Sequence, residues 1–374
     1  MSDSQHEDEL MDLDPEPIQE SSGTVTEEPP SKDQGVLYLG IDLGTSRTSV
    51  SASNGVRETV SSYVGYPKDA VAQKLLGRSV LFGDDAVKNR LALKFYRPLE
   101  HGVLKCSHDD NDSYEGNLKA AQDLIAEAIR LAKPRTDELI YAVIGAPAQV
   151  TINNKTAIID AARNAVDSVM LCSEPFSVAY GLDMLDDVLV IDIGAGTTDL
   201  CRMHGTMPED ADQITITHAG DWIDNRLGEL ISERYPEAQF STQMLRTAKE
   251  KFASVAEQVD QVNFEFPVKG KPTMFDITNE MREACQGIVP AIVEGLAELV
   301  GSFDPEFQDR LKNRVLLAGG GSQIRGLDYA IEQEMHRILG GGKVIRTEEP
   351  MYGGAGGALK IAHDMPAEFW EQLA

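Results

Sequence analysis

The sequence predicts an α/β protein built from two similar lobes, and three observations lead to that fold class. Apolar runs typical of buried strands alternate with segments in which apolar residues have helical spacing. The pattern I-D-x-G-x-x-x-T occurs twice, starting at Ile41 and Ile191, 150 residues apart. A later apolar strand runs into three consecutive glycines, Gly319–Gly321. Two copies of one strand–turn–strand unit indicate two lobes of the same basic construction.

Each element of this fold rests on a local pattern. Short apolar runs that end in glycine or polar residues predict strands at residues 36–41, 141–145, 187–193 and 314–318. One-sided apolar faces predict three helices, carried by the sets Leu118, Ala121, Ile125, Ala128 and Ile129; Leu245, Ala248, Phe252 and Val255; and Ile288, Ile292, Leu296 and Leu299. A further helix is expected to begin near Leu327, after the glycines.

The composition predicts an ordinary soluble protein, since 42% of residues are hydrophobic and 25% are charged. The net charge of −27 argues against a nucleic-acid surface and against adsorption to anionic lipid. No apolar run of membrane-spanning length is apparent, and the N-terminus lacks the basic and apolar regions of a signal peptide. The four scattered cysteines are expected to be reduced core thiols. We therefore expect a cytoplasmic protein with no direct nucleic-acid partner and no membrane insertion.

Residues 1–34 differ in composition from the rest of the chain. They contain eleven Asp or Glu residues, four prolines, no aromatic residue, and Lys32 as the one lysine or arginine. Such a segment buries too little apolar area to offset its ordering entropy, so a disordered acidic tail is predicted. The composition leaves open whether the tail only solvates the protein or also docks a partner.

Each copy of the repeated pattern places an aspartate at the end of a strand and a turn of small residues after it. The first turn consists of Gly44, Thr45 and Ser46, and the second turn of Gly194, Ala195, Gly196 and Thr197. Glycine lets backbone N–H groups approach a phosphate closely, and hydroxyls add short donors. Asp42 and Asp192 suit a site beside phosphate only if a cation lies between, and Mg²⁺ held through its water molecules is the usual one. One such turn could be a plain hairpin, whereas two facing turns predict a phosphate clamp.

The third loop comprises residues 319–324. Its predicted site residues are Gly319, Gly320, Gly321, Ser322 and Ile324. Bare glycine backbone lets a flat ring or an α-phosphate pack closely against the chain. Taken alone, the loop could simply be flexible. Its position after the two turns predicts an adenosine site.

The order of these three motifs resembles the superfamily of actin, hexokinase and the 70-kDa heat-shock chaperones, and the resemblance covers residues 36 to about 372. It implies an actin-like ATPase fold in which two lobes, each a mixed sheet flanked by helices, bind ATP or ADP with Mg²⁺ in a cleft. It also implies subdomain bounds: the first lobe has a base of residues 35–66, 113–185 and 353–374 and a smaller part of residues 67–112, and the second lobe has a base of residues 186–220 and 288–352 and a smaller part of residues 221–287.

The resemblance also assigns roles to single residues. In the stretch Ser173-Glu174-Pro175-Phe176, Glu174 matches the family's hydrolytic residue and would orient the attacking water, with Asp192 as the second catalytic carboxylate. A glutamate that complements a helix dipole is the alternative for Glu174. In Ala248-Lys249-Glu250-Lys251, Lys249 would lie over the adenine and Glu250 would accept hydrogen bonds from the ribose, although a solvated helix face remains the ordinary explanation. Asp221 is interpreted as a cap near the nucleotide.

Several stretches are similar to the MamK family of magnetosome-associated bacterial actins, notably Val64-Gly65-Tyr66-Pro67-Lys68-Asp69 and Lys74-Leu75-Leu76-Gly77-Arg78. This likeness implies a homopolymeric filament that turns over by ATP hydrolysis and positions magnetosomes through adaptor or other acidic partner proteins. A filament along the magnetosome chain is the expected location. A cell-shape or plasmid-segregating actin, a scaffold without useful turnover, and a small-molecule kinase are the alternatives.

Overall fold

The structure is a computed structural model, and it describes residues 35–105, 111–256 and 260–373. Its strands are β1 (Gly35–Leu43), β2 (Arg47–Ala52), β3 (Arg57–Ser61), β4 (Val64–Pro67), β5 (Leu81–Phe82), β6 (Leu93–Tyr96), β7 (Leu99–Glu100), β8 (Val103–Leu104), β9 (Glu138–Ala146), β10 (Ser168–Ser173), β11 (Val188–Ile193), β12 (Thr198–Met203), β13 (Gln213–Ile216), β14 (Asn263–Val268), β15 (Lys271–Asp276), β16 (Val315–Ala318) and β17 (Val344–Arg346). The predicted acidic tail, residues 1–34, lies outside the described residues.

The helices follow the predicted alternation with strands. They are α1 (Ala70–Leu76), α2 (Gly83–Lys88), α3 (Asn111–Leu131), α4 (Ile152–Ala162), α5 (Glu174–Gly181), α6 (Gly220–Arg234), α7 (Thr242–Phe252), α8 (Thr278–Gln286), α9 (Val289–Gly301), α10 (Gln308–Lys312), α11 (Leu327–Leu339), α12 (Gly353–Asp364) and α13 (Ala367–Leu373). Short 3₁₀ turns occur at Arg90–Ala92, Asp210–Asp212 and Gly320–Gln323.

Two five-stranded sheets share one topology, which confirms the two-lobed α/β fold. The first sheet has the order β3-β2-β1-β9-β10 and the second the order β13-β12-β11-β16-β17. In each sheet the hairpin pair is antiparallel, and the next strand pairs parallel with the first hairpin strand. Even the register repeats, because Ile41 pairs with Val50 and Ile191 pairs with Leu200. The repeated sequence pattern therefore builds the same hairpin twice.

Three buried apolar clusters hold these layers together. The first packs the first sheet against α3 and α4, and the second packs the second sheet against α6 to α9 and α11. The third takes Tyr141 and Val143 from β9, Val188 and Val190 from β11, and side chains of α5, α12 and α13. This third cluster belongs to both lobes, so their bases are joined by a continuous core. The subdivision of each lobe at the bounds given above stays a prediction.

The predicted helix faces are largely buried, with small shifts at their ends. Val255 is buried but lies beyond α7, and buried Ile288 precedes α9. The expectation that no apolar run reaches membrane-spanning length needs correction. Residues Thr278–Gly301 are long and apolar enough to cross a membrane, judged by length and composition alone. An 18-residue stretch within them has a mean hydropathy of 1.3, although 56% of that stretch is buried within the second lobe. The break between α8 and α9 and this burial identify the stretch as core helices.

Candidate functional site

A cavity of about 600 Å³ opens where β1 and β11 end. Both turns and the third loop contribute to its wall. Of the predicted site residues, those that line it are Asp42, Gly44, Thr45, Ser46, Glu174, Asp192, Gly194, Ala195, Gly196, Thr197, Lys249, Glu250, Gly319, Gly320, Gly321 and Ile324. Ser322 is the exception, since it is fully buried behind the wall. Residues far apart in the chain thus meet around one space, as the sequence predicted.

The two turns approach each other closely across this cavity. A Cβ atom added to Gly196 would lie 2.5 Å from Thr45 Oγ1, so the second turn can approach the first only with a glycine at this position. Thr45 Oγ1 accepts a hydrogen bond of 2.8 Å from the backbone N–H of Gly102, and His101 Nδ1 lies 3.0 Å from the carbonyl oxygen of Gly196. Residues just before β8 therefore contact both turns.

Four carboxyl groups cluster at the site: Asp42, Glu174 and Asp192 line the cavity, and fully buried Asp199 lies behind its wall. Burial raises the pKa of Asp42 to about 6. Burial, followed by the charges of Asp42, Asp199 and Asp192, raises the pKa of Glu174 well above its usual range. Burial and the charges of Asp42 and Asp199 do the same to the pKa of Asp192. Carboxylates crowded in this way raise one another's pKa until a cation or protons neutralise them.

Asp199 belongs to this cluster although sequence reasoning gave it no role. Its Oδ1 accepts hydrogen bonds from the backbone N–H of Ala148, at 2.8 Å, and from Thr215 Oγ1, at 2.5 Å. Burial raises its pKa, and these hydrogen bonds act in the opposite direction. The only available signal was its place opposite Asp192 in the repeated hairpin.

Glu174 begins α5, directly after β10 of the first sheet. Pro175 follows it in the first turn of the helix, where a missing N–H costs nothing. A carboxylate at a helix N-terminus is stabilised by the backbone dipoles. In this chain, however, burial and then the neighbouring carboxylates outweigh that effect, because the net shift of the Glu174 pKa is upward. The helix dipole alone therefore does not explain why Glu174 lies in an acidic cavity.

The donor set fits a hydrated divalent cation. Oxygen ligands and partial retention of water are typical of Mg²⁺, and Asp42 and Asp192 each supply a carboxyl group to the lining of the cavity, one from β1 and one from β11. Over residues 35–105, 111–256 and 260–373, no group of three His, Cys, Asp or Glu side chains is arranged to enclose a metal directly. A cation held through water molecules is the arrangement that these residues suit.

The third loop depends on glycine at its first position. Gly319 has φ of 75°, and a Cβ atom there would overlap the carboxyl group of Asp192 and lie 2.5 Å from the carbonyl oxygen of Ile193. Ser322 Oγ donates a 2.7 Å hydrogen bond to the Gly319 carbonyl. Ser322 therefore shapes the loop from behind and does not line the cavity, unlike the other residues predicted there.

Lys249 and Glu250 reach the cavity from α7 but already have protein partners. Lys249 Nζ donates a 2.6 Å hydrogen bond to the Gly220 carbonyl and lies 2.8 Å from Asp224 Oδ1. Glu250 Oε1 accepts a 2.9 Å hydrogen bond from Arg47 of the first lobe. Arg47 thus spans the cavity toward Glu250. The roles predicted for Lys249 at the adenine and for Glu250 at the ribose stay predictions.

Two arginines near the turns carry contacts that sequence reasoning missed. Arg246 of α7 is buried and lines the cavity, and Arg97 follows β6. Both donate to Asp221, from Arg97 Nη2 at 2.7 Å and from Arg246 Nη2 at 2.8 Å. Neither arginine belongs to a motif. The contact of Arg97 with Asp221 crosses between the lobes, whereas Arg246 reaches Asp221 from the neighbouring helix of the same lobe.

Comparison with known proteins identifies the family of this chain. The sequence model of the MreB/Mbl protein family matches residues 37–368. The chain is similar to the actin-like protein MamK of Paramagnetospirillum magneticum, with 39% identity over 90% of this chain and 95% of that protein. It is likewise similar to the actin-like protein MamK of Magnetospirillum gryphiswaldense, with 40% identity over 90% of this chain and 92% of that protein.

A solved structure of a MamK double helical filament resembles this fold with a TM-score of 0.84 at 39% identity, and the match covers 89% of this chain and all of that one. A non-polymerising MamK mutant bound to AMPPNP matches with a TM-score of 0.66 at 39% identity, over 88% of this chain and all of that one. The match of the family model over nearly the whole described chain, together with relatives of about 40% identity, shows that this protein belongs to the MreB/Mbl family.

Proposed function

We propose that this protein binds ATP with Mg²⁺ in the cavity, hydrolyses it, and assembles into a cytoplasmic filament whose turnover depends on that hydrolysis. The observation that carries the proposal is the pair of hairpins with identical register, whose turns face one cavity and meet at Thr45 and Gly196. Two opposed glycine-containing turns present backbone N–H groups to one polyphosphate from both sides. The AMPPNP-bound relative supports a nucleotide as the ligand.

In this proposal the first and second turns hold the β- and γ-phosphates and the third loop holds the adenosine. Asp42 and Asp192 would hold Mg²⁺ through its waters, and the cation would neutralise charge on the phosphate oxygens. Glu174 would orient the attacking water and accept part of its proton, a task for which a carboxyl group of raised pKa is suited. Phosphoryl transfer depends chiefly on such positioning.

Assembly follows from the same cleft. The lobes share one core at their bases, so a nucleotide held between the turns would fix the angle between them. That angle determines whether surfaces of successive subunits match, and head-to-tail contacts that do not close propagate into a filament. The filament structures of MamK relatives support self-assembly, and the MamK likeness favours positioning of magnetosomes through adaptor proteins.

A sedimentation assay tests this proposal. Purified protein with Mg²⁺ and ATP should pellet above a critical concentration, show filaments by electron microscopy, and release phosphate after assembly. A monomer that phosphorylates an added sugar would favour the kinase alternative. Pelleting that needs no nucleotide and releases no phosphate would favour a scaffold. Assembly on anionic vesicles only would favour a cell-shape function of the kind named for the Mbl relatives.

A further inference from the structure

Arg97 touches the first turn and the second lobe at once. Its Nε donates a 3.1 Å hydrogen bond to the carbonyl oxygen of Thr45. Its Nη2 donates a 2.7 Å hydrogen bond to Asp221 Oδ2, at the start of α6. About a fifth of each side chain in this ion pair is exposed, 22% for Arg97 and 23% for Asp221, so the pair is shielded from much of the solvent screening that weakens surface pairs.

Asp221 continues the connection to the second turn. Its backbone N–H donates a 2.7 Å hydrogen bond to the carbonyl oxygen of Ala195, and the neighbouring Gly220 N–H donates to Gly194 at 3.1 Å. The first two residues of the second turn are therefore held by the first residues of α6. The contacts run without a gap from Thr45 through Arg97 and Asp221 to Ala195.

Arg246 keeps Asp221 in place. It is buried, and its Nη2 donates to Asp221 Oδ1 at 2.8 Å while its Nε donates to Asp224 Oδ2 at 3.4 Å. It also hydrogen-bonds the hydroxyl of Tyr63, a residue between β3 and β4. With one oxygen on Arg246 and the other on Arg97, the Asp221 carboxylate has little freedom to turn away.

The geometry points to Arg97 as a positioning residue that fixes the distance between the first and second turns, through Asp221, for a ligand whose phosphates span both. This inference rests on the proposed function, because it assumes that one polyphosphate bridges the turns. Holding the turns in place beforehand lowers the ordering cost of binding. A guanidinium can serve two acceptors in different directions from a rigid plane, whereas a lysine ammonium carries its donors on one atom.

The ligand dependence follows from where each part of a nucleotide would bind. ATP would engage both turns and the third loop, whereas AMP would depend mainly on the third loop. Loss of Arg97 should therefore weaken ATP binding about tenfold while changing AMP binding less than about twofold, a size typical for one charge-assisted hydrogen-bonded pair. An arginine with a merely structural role would lower both affinities together.

The experiment measures ATP and AMP dissociation constants by calorimetry, at constant Mg²⁺, for the full chain and for Arg97→Gln, Arg97→Lys, Asp221→Asn and the double variant Arg97→Gln/Asp221→Asn. Arg130→Gln is the matched control, since Arg130 makes a two-bond pair of 2.6 and 2.7 Å with Glu127 within one helix. Circular dichroism verifies folding, and Arg97→Lys, which keeps the charge, serves if Arg97→Gln does not fold.

Support would be a selective loss of ATP affinity in both Arg97 variants, a similar loss in Asp221→Asn, and a double variant no weaker than the worse single one. Unchanged affinities for ATP and AMP, or an equal loss of both, would overturn the role of Arg97 while leaving the proposed function intact. Failure of the unaltered protein to bind ATP would instead overturn the proposed function, and the inference with it.

Discussion

The first and second turns end hairpins of the same register, yet their surroundings carry different charge. Across the first hairpin Asp42 faces Ser49, whereas across the second Asp192 faces Asp199. The first turn is contacted by a cation, Arg97, while the second lies beside two buried carboxyl groups. The repeated pattern therefore sets the geometry of the site, and single non-repeated positions set its charge.

The largest expected effect concerns Glu174, which lies beside both turns. Glu174→Gln keeps the size of the side chain and removes its capacity to accept a proton. ATP hydrolysis should fall by about 10²- to 10⁴-fold, the usual contribution of a general base. ATP binding and assembly should survive, so that filaments persist longer. Phosphate release measures the hydrolysis and light scattering measures the filaments, and both are followed in one experiment. A normal rate of phosphate release from Glu174→Gln would show that the catalytic carboxylate lies elsewhere.

The next prediction compares how much Asp42 and Asp192, the aspartates of the two hairpins, contribute to Mg-ATP binding. Asp192→Ala should weaken Mg-ATP binding by about 10- to 100-fold, as expected when an outer-sphere group of a metal site is lost. Asp42→Ala is the matching variant in the first hairpin, and the two losses measured side by side show which aspartate contributes more to Mg-ATP binding. Calorimetric titration measures both, with Asp328→Ala as a control on a surface ion pair. Equal affinity in the unaltered protein and Asp192→Ala would remove Asp192 from the site.

A smaller effect compares adjacent glycines of the third loop. Gly319→Ala places a Cβ atom against Asp192 and Ile193 at a positive φ, so the free energy of unfolding should fall by about 1–3 kcal/mol. Gly320→Ala is the matched control, because no atom lies within 4 Å of its Cβ position. Its free energy of unfolding should change by less than about 0.5 kcal/mol. Denaturant-induced unfolding of both variants measures the difference. Equal losses in the free energy of unfolding would show that the loop adjusts freely to either side chain.

The smallest effect is the pH dependence of stability without nucleotide. The pKa of Asp42 is raised to about 6 in the folded protein, so its charged form destabilises the fold above that pH. As the pH falls below 6 the folded group binds a proton and this penalty shrinks, and it disappears only below the ordinary aspartate pKa of about 3.9, where the unfolded chain is protonated as well. Asp42→Asn should therefore be more stable than the unaltered protein by about 1–2 kcal/mol at pH 7.5.

The same comparison at pH 5 tests the cause of that difference. At pH 5 the folded Asp42 carboxyl group is mostly protonated while the same group in the unfolded chain is still mostly charged, so the gap in the free energy of unfolding should shrink to about half of its value at pH 7.5. Titrating groups remote from Asp42 cancel because they are common to both proteins. Glu174 and Asp192 lose the neighbouring charge that raises their pKa, which adds to the gap in the same direction. A gap that stays constant between pH 7.5 and pH 5 would show that the Asp42 charge is not the source of the instability.

The fold was predictable largely because the informative patterns are local. Ile41 and Ile191 open two copies of one short motif, and the apolar alternation around them leads directly to strands β1 and β11. Most of the candidate site was predictable for the same reason, since the glycines and aspartates of the turns lie within the motifs. Whether each residue has its predicted role is a matter for the experiments above.

What the sequence could not predict depends on contacts between residues that are far apart in the chain or on the direction in which a side chain turns. Arg97 and Arg246 are isolated arginines in the chain, and only the folded structure brings both to Asp221. Ser322 follows three glycines in a loop that suggested ligand contact, yet its hydroxyl turns inward to the Gly319 carbonyl. The repeated pattern could not indicate a charge at Asp199, because the first hairpin has the uncharged residue Ser49 at the matching position.

The measurement that tests the central claim most directly is an affinity series for adenosine, AMP, ADP and ATP, each with and without Mg²⁺. If both turns hold one polyphosphate, affinity should rise with each phosphate that reaches the turns, and Mg²⁺ should strengthen ADP and ATP binding while leaving adenosine unchanged. Equal affinity for adenosine and ATP, with no effect of Mg²⁺, would contradict the account.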